Sequence, residues 1–207
     1  AYGRTLGFIG LYVLRPELRG HGLGRDFAYE LVPRMRARLN PDAPIVIEGV
    51  VEMAPFYERL GFVASHVTVR MQVVSAGGGR DPELVELASV PLAELVAYDA
   101  ARFGAPREAF LRNWTAPAGG LAVAARGPER LRGYGVLRPT GLGYKIGPLV
   151  ARSDVQARNL LQAAATISGE ADVSIDVPAS DRTLTGICRE LGLAPGFETA
   201  RMYRGAP

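Results

Sequence analysis

Residues 11–24 read LYVLRPELRGHGLG and set three glycines, at positions 20, 22 and 24, behind an arginine, Arg19. Glycines let backbone N–H groups approach an anion with no Cβ in the way. A helix that starts there adds its unpaired first-turn amides and the positive end of its dipole. That combination suits a pyrophosphate, with Arg19 contributing charge and the backbone contributing most of the geometry. Two other glycine patterns fit less well. A dinucleotide fingerprint built on Gly20 and Gly22 wants its third glycine at position 25, which is Arg25, although Glu48 at a later strand end mimics the ribose-binding acid. A nucleotide P-loop needs Gly-Lys-Ser/Thr, which is absent from the sequence. A plain glycine turn beside a solvated arginine is the simplest alternative.

Such a turn is useful only between a strand and a helix, and the flanking patterns supply both. Residues 6–13 (LGFIGLYV) are rich in β-branched and aromatic types, whereas Leu23, Phe27, Leu31, Met35 and Leu39 recur every fourth residue, as on one apolar helix face. Pro33 falls inside that face and predicts a kink or an early end near Val32. A buried strand at 45–47, a short helix at 55–60 ended by Gly61 and an extended run at 62–74 follow, giving β-α-β-α-β. Gly77, Gly78 and Gly79, then Arg80, Asp81 and Pro82, predict a linker over 76–82. Beyond it the patterns predict strands at 84–88, 121–125, 133–137, 144–150, 173–177 and 197–203. They predict helices at 92–103, 107–114, 154–168 and 182–191, the third burying Ala157, Leu160, Leu161 and Ala164. The two halves end alike. Gly61-Phe62 follows ERL, Gly192-Leu193 follows REL, and each leads to an Arg-Met pair, Arg70-Met71 and Arg201-Met202, which reads as a duplicated unit.

VLRPELRGHGLG is similar to the acetyl-CoA motif of the Gcn5-related N-acetyltransferases (GNAT), Arg/Gln-x-x-Gly-x-Gly/Ala after a V-x-P-type strand end, with Arg19, Gly22 and Gly24 on its positions. APFYERLGF (54–62) resembles the family's second signature, with Tyr57 on its tyrosine. Past the linker, RGYGVLRP (132–139), YKIGPLVA (144–151), SIDVP (174–178) and ETARMYRG (198–205) resemble the C-terminal domain of two-domain YitH-like members, itself GNAT-shaped. The resemblance implies a mixed-sheet α/β (α+β) fold in tandem GNAT-like domains. Residues 1–75 would be the C-terminal part of an acetyl-CoA-binding domain lacking its N-terminal strands and helices, 76–82 a linker and 83–207 the second domain. The second turn, ARSDVQ, has lost the glycines, so one cofactor site is expected, in the first domain.

The chemistry implied by the resemblance is direct attack of an amine on acetyl-CoA, the acceptor being a small molecule or a protein amino group, with no metal. The enzyme must deprotonate an ammonium, stabilise an oxyanion and protonate a thiolate. On that reading the backbone of Leu11, Tyr12 and Val13 meets the pantetheine and the thioester carbonyl, and Arg19, Gly20, His21, Gly22, Leu23 and Gly24 form the pyrophosphate turn, His21 as an exposed member. Tyr57 is the acid for the thiolate, with packing against the sheet as its alternative role. Glu48 is the candidate base and Glu52 a further one; either could be a surface acid. Val50 stands where many members carry an asparagine that bonds the pantetheine arm. The missing asparagine and base favour a second reading, a scaffold that binds acetyl-CoA or another ligand without turnover. The glycine turn with Tyr57 favours the enzyme.

In the second half Asp99, Arg107, Trp114, Tyr134 and Arg138 are candidates for acceptor binding. Packing is the alternative for the aromatics and an interhelical ion pair for Asp99 with Arg107. Composition narrows the partners. The 207 residues carry 24 Lys plus Arg against 21 Asp plus Glu, a net charge of +3, scattered rather than striped, so no nucleic-acid partner is expected. No apolar run approaches the ~18 residues of a membrane span. One cysteine, Cys188, read as a small buried apolar residue, excludes an internal disulfide, and two histidines offer no spaced ligand set, which together point to a cytoplasmic, metal-free protein. A homodimer is compatible with the resemblance. The chain starts at Ala1 and enters a strand-like run within a few residues, as expected of a sequence that begins inside a domain.

Overall fold

A computed structural model describes residues 1–73, 84–116, 119–127, 130–168 and 171–206, so the linker expected at 76–82 lies outside the described residues. In chain order the elements are β1 (Gly7–Ile9), α1 (Leu23–Arg36), β2 (Ile45–Val50), α2 (Ala54–Arg59), β3 (Val63–Val73) and β4 (Leu84–Glu86). There follow α3 (Leu92–Phe103), α4 (Glu108–Trp114), β5 (Leu121–Arg126), β6 (Leu131–Thr140), β7 (Gly143–Ala151), α5 (Asp154–Ser168), β8 (Val173–Pro178), α6 (Arg182–Glu190) and β9 (Ala194–Arg204). The strand order is β1-β2-β9 within one packing unit and, from Val69 of β3 onward, β3-β8-β7-β6-β5-β4 within the other, with parallel and antiparallel neighbours mixed in each.

One compact unit comprises Ala1–Thr68 with Glu198–Pro207. Here β1 runs parallel to β2, with Gly7, Phe8 and Ile9 facing Ile45, Val46 and Ile47, and β2 runs antiparallel to β9. Strand alternation turns Ile9, Ile45, Ile47, Ala200 and Met202 to one face, where Ala28 and Val32 of α1 and Tyr57 of α2 pack on them. The strand expected over 6–13 ends at Ile9. Leu11 takes a left-handed φ of +55°, which breaks the extended run and lifts the chain off the sheet. Nor does Pro33 stop α1. It sits on the solvent side, and the helix continues to Arg36 because the carbonyl left without a donor, that of the exposed Tyr29, can bond water. Of the expected face, Leu31 and Met35 pack on this core and Leu39 is buried in it, joined by Ala28 and Val32, whereas Leu23 and Phe27 at the start of α1 are about half exposed.

The other unit is Val69–Phe197. β4, β5, β6 and β7 pair antiparallel in succession, and β7 then pairs parallel with β8 across the α5 crossover. Ala157, Leu160, Leu161 and Ala164 of α5 are buried as the periodicity predicts. Met71, Ile146, Ile175, Ile187 and Cys188 share one cluster, and Leu95, Leu111, Tyr134 and Val136 another. These two packing units do not coincide with the division at 76–82, because the final strand of the chain, β9, pairs with β2, and β3 lies next to β8.

Candidate active site

Beyond Ile9 the first unit opens. Residues 10–14 leave the β1–β2 ladder and line a cavity of about 400 Å³ together with Phe27 and Leu31. Leu11 is 99% exposed, and Val13, Leu23 and Phe27 are also exposed apolar side chains around this opening. Such a concentration of solvent-facing apolar surface marks a contact site rather than core. The Tyr12 ring stacks on Phe27, with centroids 5.7 Å apart, and its hydroxyl donates to the Gly24 carbonyl, pinning the departing chain to the first turn of α1.

The glycine turn has the geometry that anion binding demands. Gly20 and Gly22 take φ of +82° and +80°, and Gly22 is the N-cap of α1 with no side-chain cap bond. The amides of Leu23, Gly24 and Arg25, the first three of the helix, have no intrahelical acceptor and point out of its end. A Cβ at position 22 would come within 3.2 Å of the Arg25 guanidinium, and one at 24 within 3.0 Å of the Tyr12 hydroxyl, so side chains there would crowd the cradle. Arg19 is exposed, its Nε donating to the Leu14 carbonyl at 2.9 Å, which holds it beside the turn; His21 is exposed.

Tyr57 is buried on α2 and its ring lies flush against Gly49 of β2; a Cβ there would fall 2.8 Å from the hydroxyl. Burial raises the phenol's pKa, and the neighbouring Tyr12 adds to the rise. Glu48 sits on the opposite face of β2. One of its carboxylate oxygens accepts from the Thr199 hydroxyl at 2.8 Å and the other is paired with Arg201 Nε, so Tyr57 and Glu48 are not brought side by side. Glu52 lies exposed in the turn after β2, and Val50 ends the strand opposite Thr199.

A family model described as an acetyltransferase (GNAT) domain matches residues 95–207. The chain belongs to the GNAT acetyltransferase family. Among curated proteins, this GNAT chain is 25% identical over 206 residues to a holothin acyltransferase of Pseudoalteromonas, covering 99% of the chain and 68% of that protein. It is 28% identical over 198 residues to the N-acetyltransferase YitH of Bacillus subtilis, which is uncharacterised, covering 92% of the chain and 67% of that protein. The fold matches a crystal structure assigned as an acetyltransferase from Pyrococcus horikoshii with a TM-score of 0.83 at 21% identity, over 100% of this chain and 68% of that one. A GCN5-related N-acetyltransferase from Sphaerobacter thermophilus matches with a TM-score of 0.62 at 17% identity, over 92% and 70% of the two chains.

Within this GNAT transferase, the second-half candidates are structural partners. Arg107, at the N-cap of α4, makes two bonds of 2.7 and 2.8 Å to Asp99 of α3, and the Tyr134 hydroxyl donates to the same carboxylate. Trp114 Nε1 donates to the Gly147 carbonyl at 3.0 Å while Arg138 lies 3.8 Å over its ring. The interhelical ion pair and the packing alternatives are what the fold uses. One group escaped the sequence reading. His66 on β3 lies in the field of Arg201 and Glu48, and burial first, then the Arg201 charge, lowers its pKa, with Glu48 opposing. Only its alternate position on the strand that follows the ERLGF signature could have drawn attention to it. Among the described residues no cluster of three or more His, Cys, Asp or Glu side chains could hold a metal, and no helix is long and apolar enough to cross a membrane.

Proposed function

We propose that this chain is a cytoplasmic N-acetyltransferase that moves the acetyl group of acetyl-CoA to the amine of a small molecule, with protein amino groups as a second acceptor class. The observation that carries the reading is the uncapped N-terminus of α1, preceded by two left-handed glycines and tied by Tyr12 to the cavity that residues 10–14 line beyond β1. Bound there, acetyl-CoA supplies an activated thioester. The turn of Arg19, Gly20, Gly22 and Gly24 receives the diphosphate on amides. The freed backbone at Leu11, Tyr12 and Val13 offers peptide groups to the pantetheine, and Tyr57, held protonated by burial, donates its proton to the departing thiolate.

A tandem organisation accompanies this reading, with GNAT-like halves over 1–75 and 83–207. Its support is a repeated local plan. Each half contains a parallel ladder of the same length, Gly7–Ile9 with Ile45–Ile47 and Tyr144–Ile146 with Val173–Ile175. Each then has a helix closed by the same turn, Phe62 N–H to the Tyr57 carbonyl at 3.1 Å and Leu193 N–H to the Cys188 carbonyl at 2.9 Å. Calorimetry with coenzyme A, followed by thiol release from acetyl-CoA across an amine panel, tests the function. One coenzyme A per chain and amine-dependent thiol are expected; binding with no amine-dependent thiol would overturn the enzyme reading.

A further inference from the structure

The second unit contains a cleft that the reaction above does not use. β7 and β8 pair only over Tyr144–Ile146 with Val173–Ile175, although β7 runs on to Ala151 and β8 to Pro178. On its other edge β7 stays in register with β6, Leu149, Val150 and Ala151 facing Gly135, Tyr134 and Gly133, and the Arg152 N–H donates to the Arg132 carbonyl at 3.0 Å. Antiparallel alternation therefore turns the peptide groups of Val150 and Arg152 toward β6 and those of Leu149 and Ala151 away from it. They face a cavity of about 590 Å³ whose walls include Arg102, Arg152, Thr183 and Leu184.

The lining narrows the ligand. Two outward peptide groups two residues apart are what an extended amide chain pairs with when it adds to a strand edge. Of the three acids in the wall, Asp99 is satisfied by Arg107 and Tyr134, Asp181 caps α6 by accepting from the Leu184 N–H at 2.9 Å, and Asp154 lies exposed in the first turn of α5. Arg152 is exposed at the mouth. A diphosphate does not fit the chemistry: only Arg152 and Ser153 separate β7 from α5 and neither is glycine, so no left-handed glycine turn offers it amides, and Asp154 opposes its multiple charges more strongly than the single charge of a carboxylate that Arg152 can balance. The position equivalent to Tyr57, by the shared closing turn, is Cys188. It is fully buried, and burial, then Asp181, pushes its thiol up to about 11, leaving no phenol for acid catalysis.

We propose that this cleft is a second, non-catalytic site that binds a short amide-bearing carboxylate, its amides paired with the free edge of β7 and its carboxylate facing Arg152. The proposal goes beyond the acetyl-transfer reading and does not rest on it. The test uses the full chain, N-acetylglycylglycine as probe and calorimetry, with coenzyme A titrated separately. Thr183→Trp fills the cleft from an exposed position in the first turn of α6, and Arg152→Glu reverses the charge at its mouth. The expected result is one probe per chain, binding abolished by Thr183→Trp and weakened at least about tenfold by Arg152→Glu or by amidating the probe's carboxylate, about the effect of one lost charge-assisted contact. Coenzyme A stoichiometry should be the same in the wild type and in Thr183→Trp. Two coenzyme A molecules per chain, one lost in Thr183→Trp, would give the cleft to a diphosphate and overturn the proposal. So would absence of probe binding, or probe binding that survives Thr183→Trp. A chain that binds the probe but no coenzyme A would sink the acetyl-transfer reading alone.

Discussion

Tyr57 and Gly49 occupy one small space, and the absence of a Cβ at 49 is what lets the phenol lie against the end of β2. A phenol whose pKa is raised by burial is a donor throughout the neutral and mildly alkaline range, because the acid form is the one it keeps. Tyr57→Phe is accordingly expected to lower the rate of thiol release by about 10²-fold, the ordinary worth of a general acid, while coenzyme A affinity stays within about twofold. Wild-type activity should show no alkaline fall from this group below its ordinary pKa of about 10. Calorimetry and a pH–rate profile check the two halves of the statement. His66 gives the opposite sign of argument. Its folded pKa lies below the ordinary 6.5, so the native state binds the proton more weakly than the unfolded chain. Its contribution to stability is present above 6.5 and is lost as pH falls through the lowered value. Thermal melting of His66→Gln should show a shallower fall in Tm between about pH 7 and pH 5 than the wild type; an equal fall would assign the acid sensitivity elsewhere.

At the scale of elements, the glycine turn and α1 act as one device. Gly22 has φ of +80° and caps the helix, so a side chain there strains the backbone and projects into the amide cradle. Arg19→Ala combined with Gly22→Asp is expected to weaken coenzyme A binding at least about tenfold, by losing one charge and adding an opposed one at a helix N-terminus. An unchanged Kd would remove the turn from the cofactor site. Much of this element level was legible in the residues: the helices at 92–103 and 154–168 and the Gly61 stop follow from periodicity and cap chemistry alone. The end of β1 was not, since nothing in LGFIGLYV announces that Leu11 adopts a left-handed backbone. The exposed start of the α1 face has a similar cause. Leu23 and Phe27 satisfy the helical period, but they face the opening beside Leu11 and Val13, where apolar surface serves contact rather than core.

At the scale of the molecule, the informative feature is which strand completes which packing unit. The repeated Arg-Met tails were legible, but their partners were not, because alternation says which side chains face inward and never which neighbour a strand takes. Arg201 of β9 pairs with Glu48 of β2, and Arg70 of β3 pairs with Asp176 of β8 at 2.8 Å, so each acid meets the arginine that lies farther from it in the two-half reading of the sequence. The methionines beside them follow suit. Met202 is buried with Ile9, Val32 and Ile47, and Met71 with Ile146, Ile175 and Val177. Truncating either to Ala should cost about 2–5 kcal/mol, the range for emptying a packed site. The damage should appear at a distance in sequence. In Met202→Ala, hydrogen exchange should quicken first in the amides of Ile45–Val50, near the start of the chain, and in Met71→Ala first in those of Val173–Pro178. Coenzyme A affinity should fall in Met202→Ala and hold in Met71→Ala, since the glycine turn and Tyr57 belong to the unit that β9 completes. Exchange that quickens instead in Val173–Pro178 on truncating Met202 would mean that each half closes its own core, and the crossed pairing of the two tails would have to be abandoned.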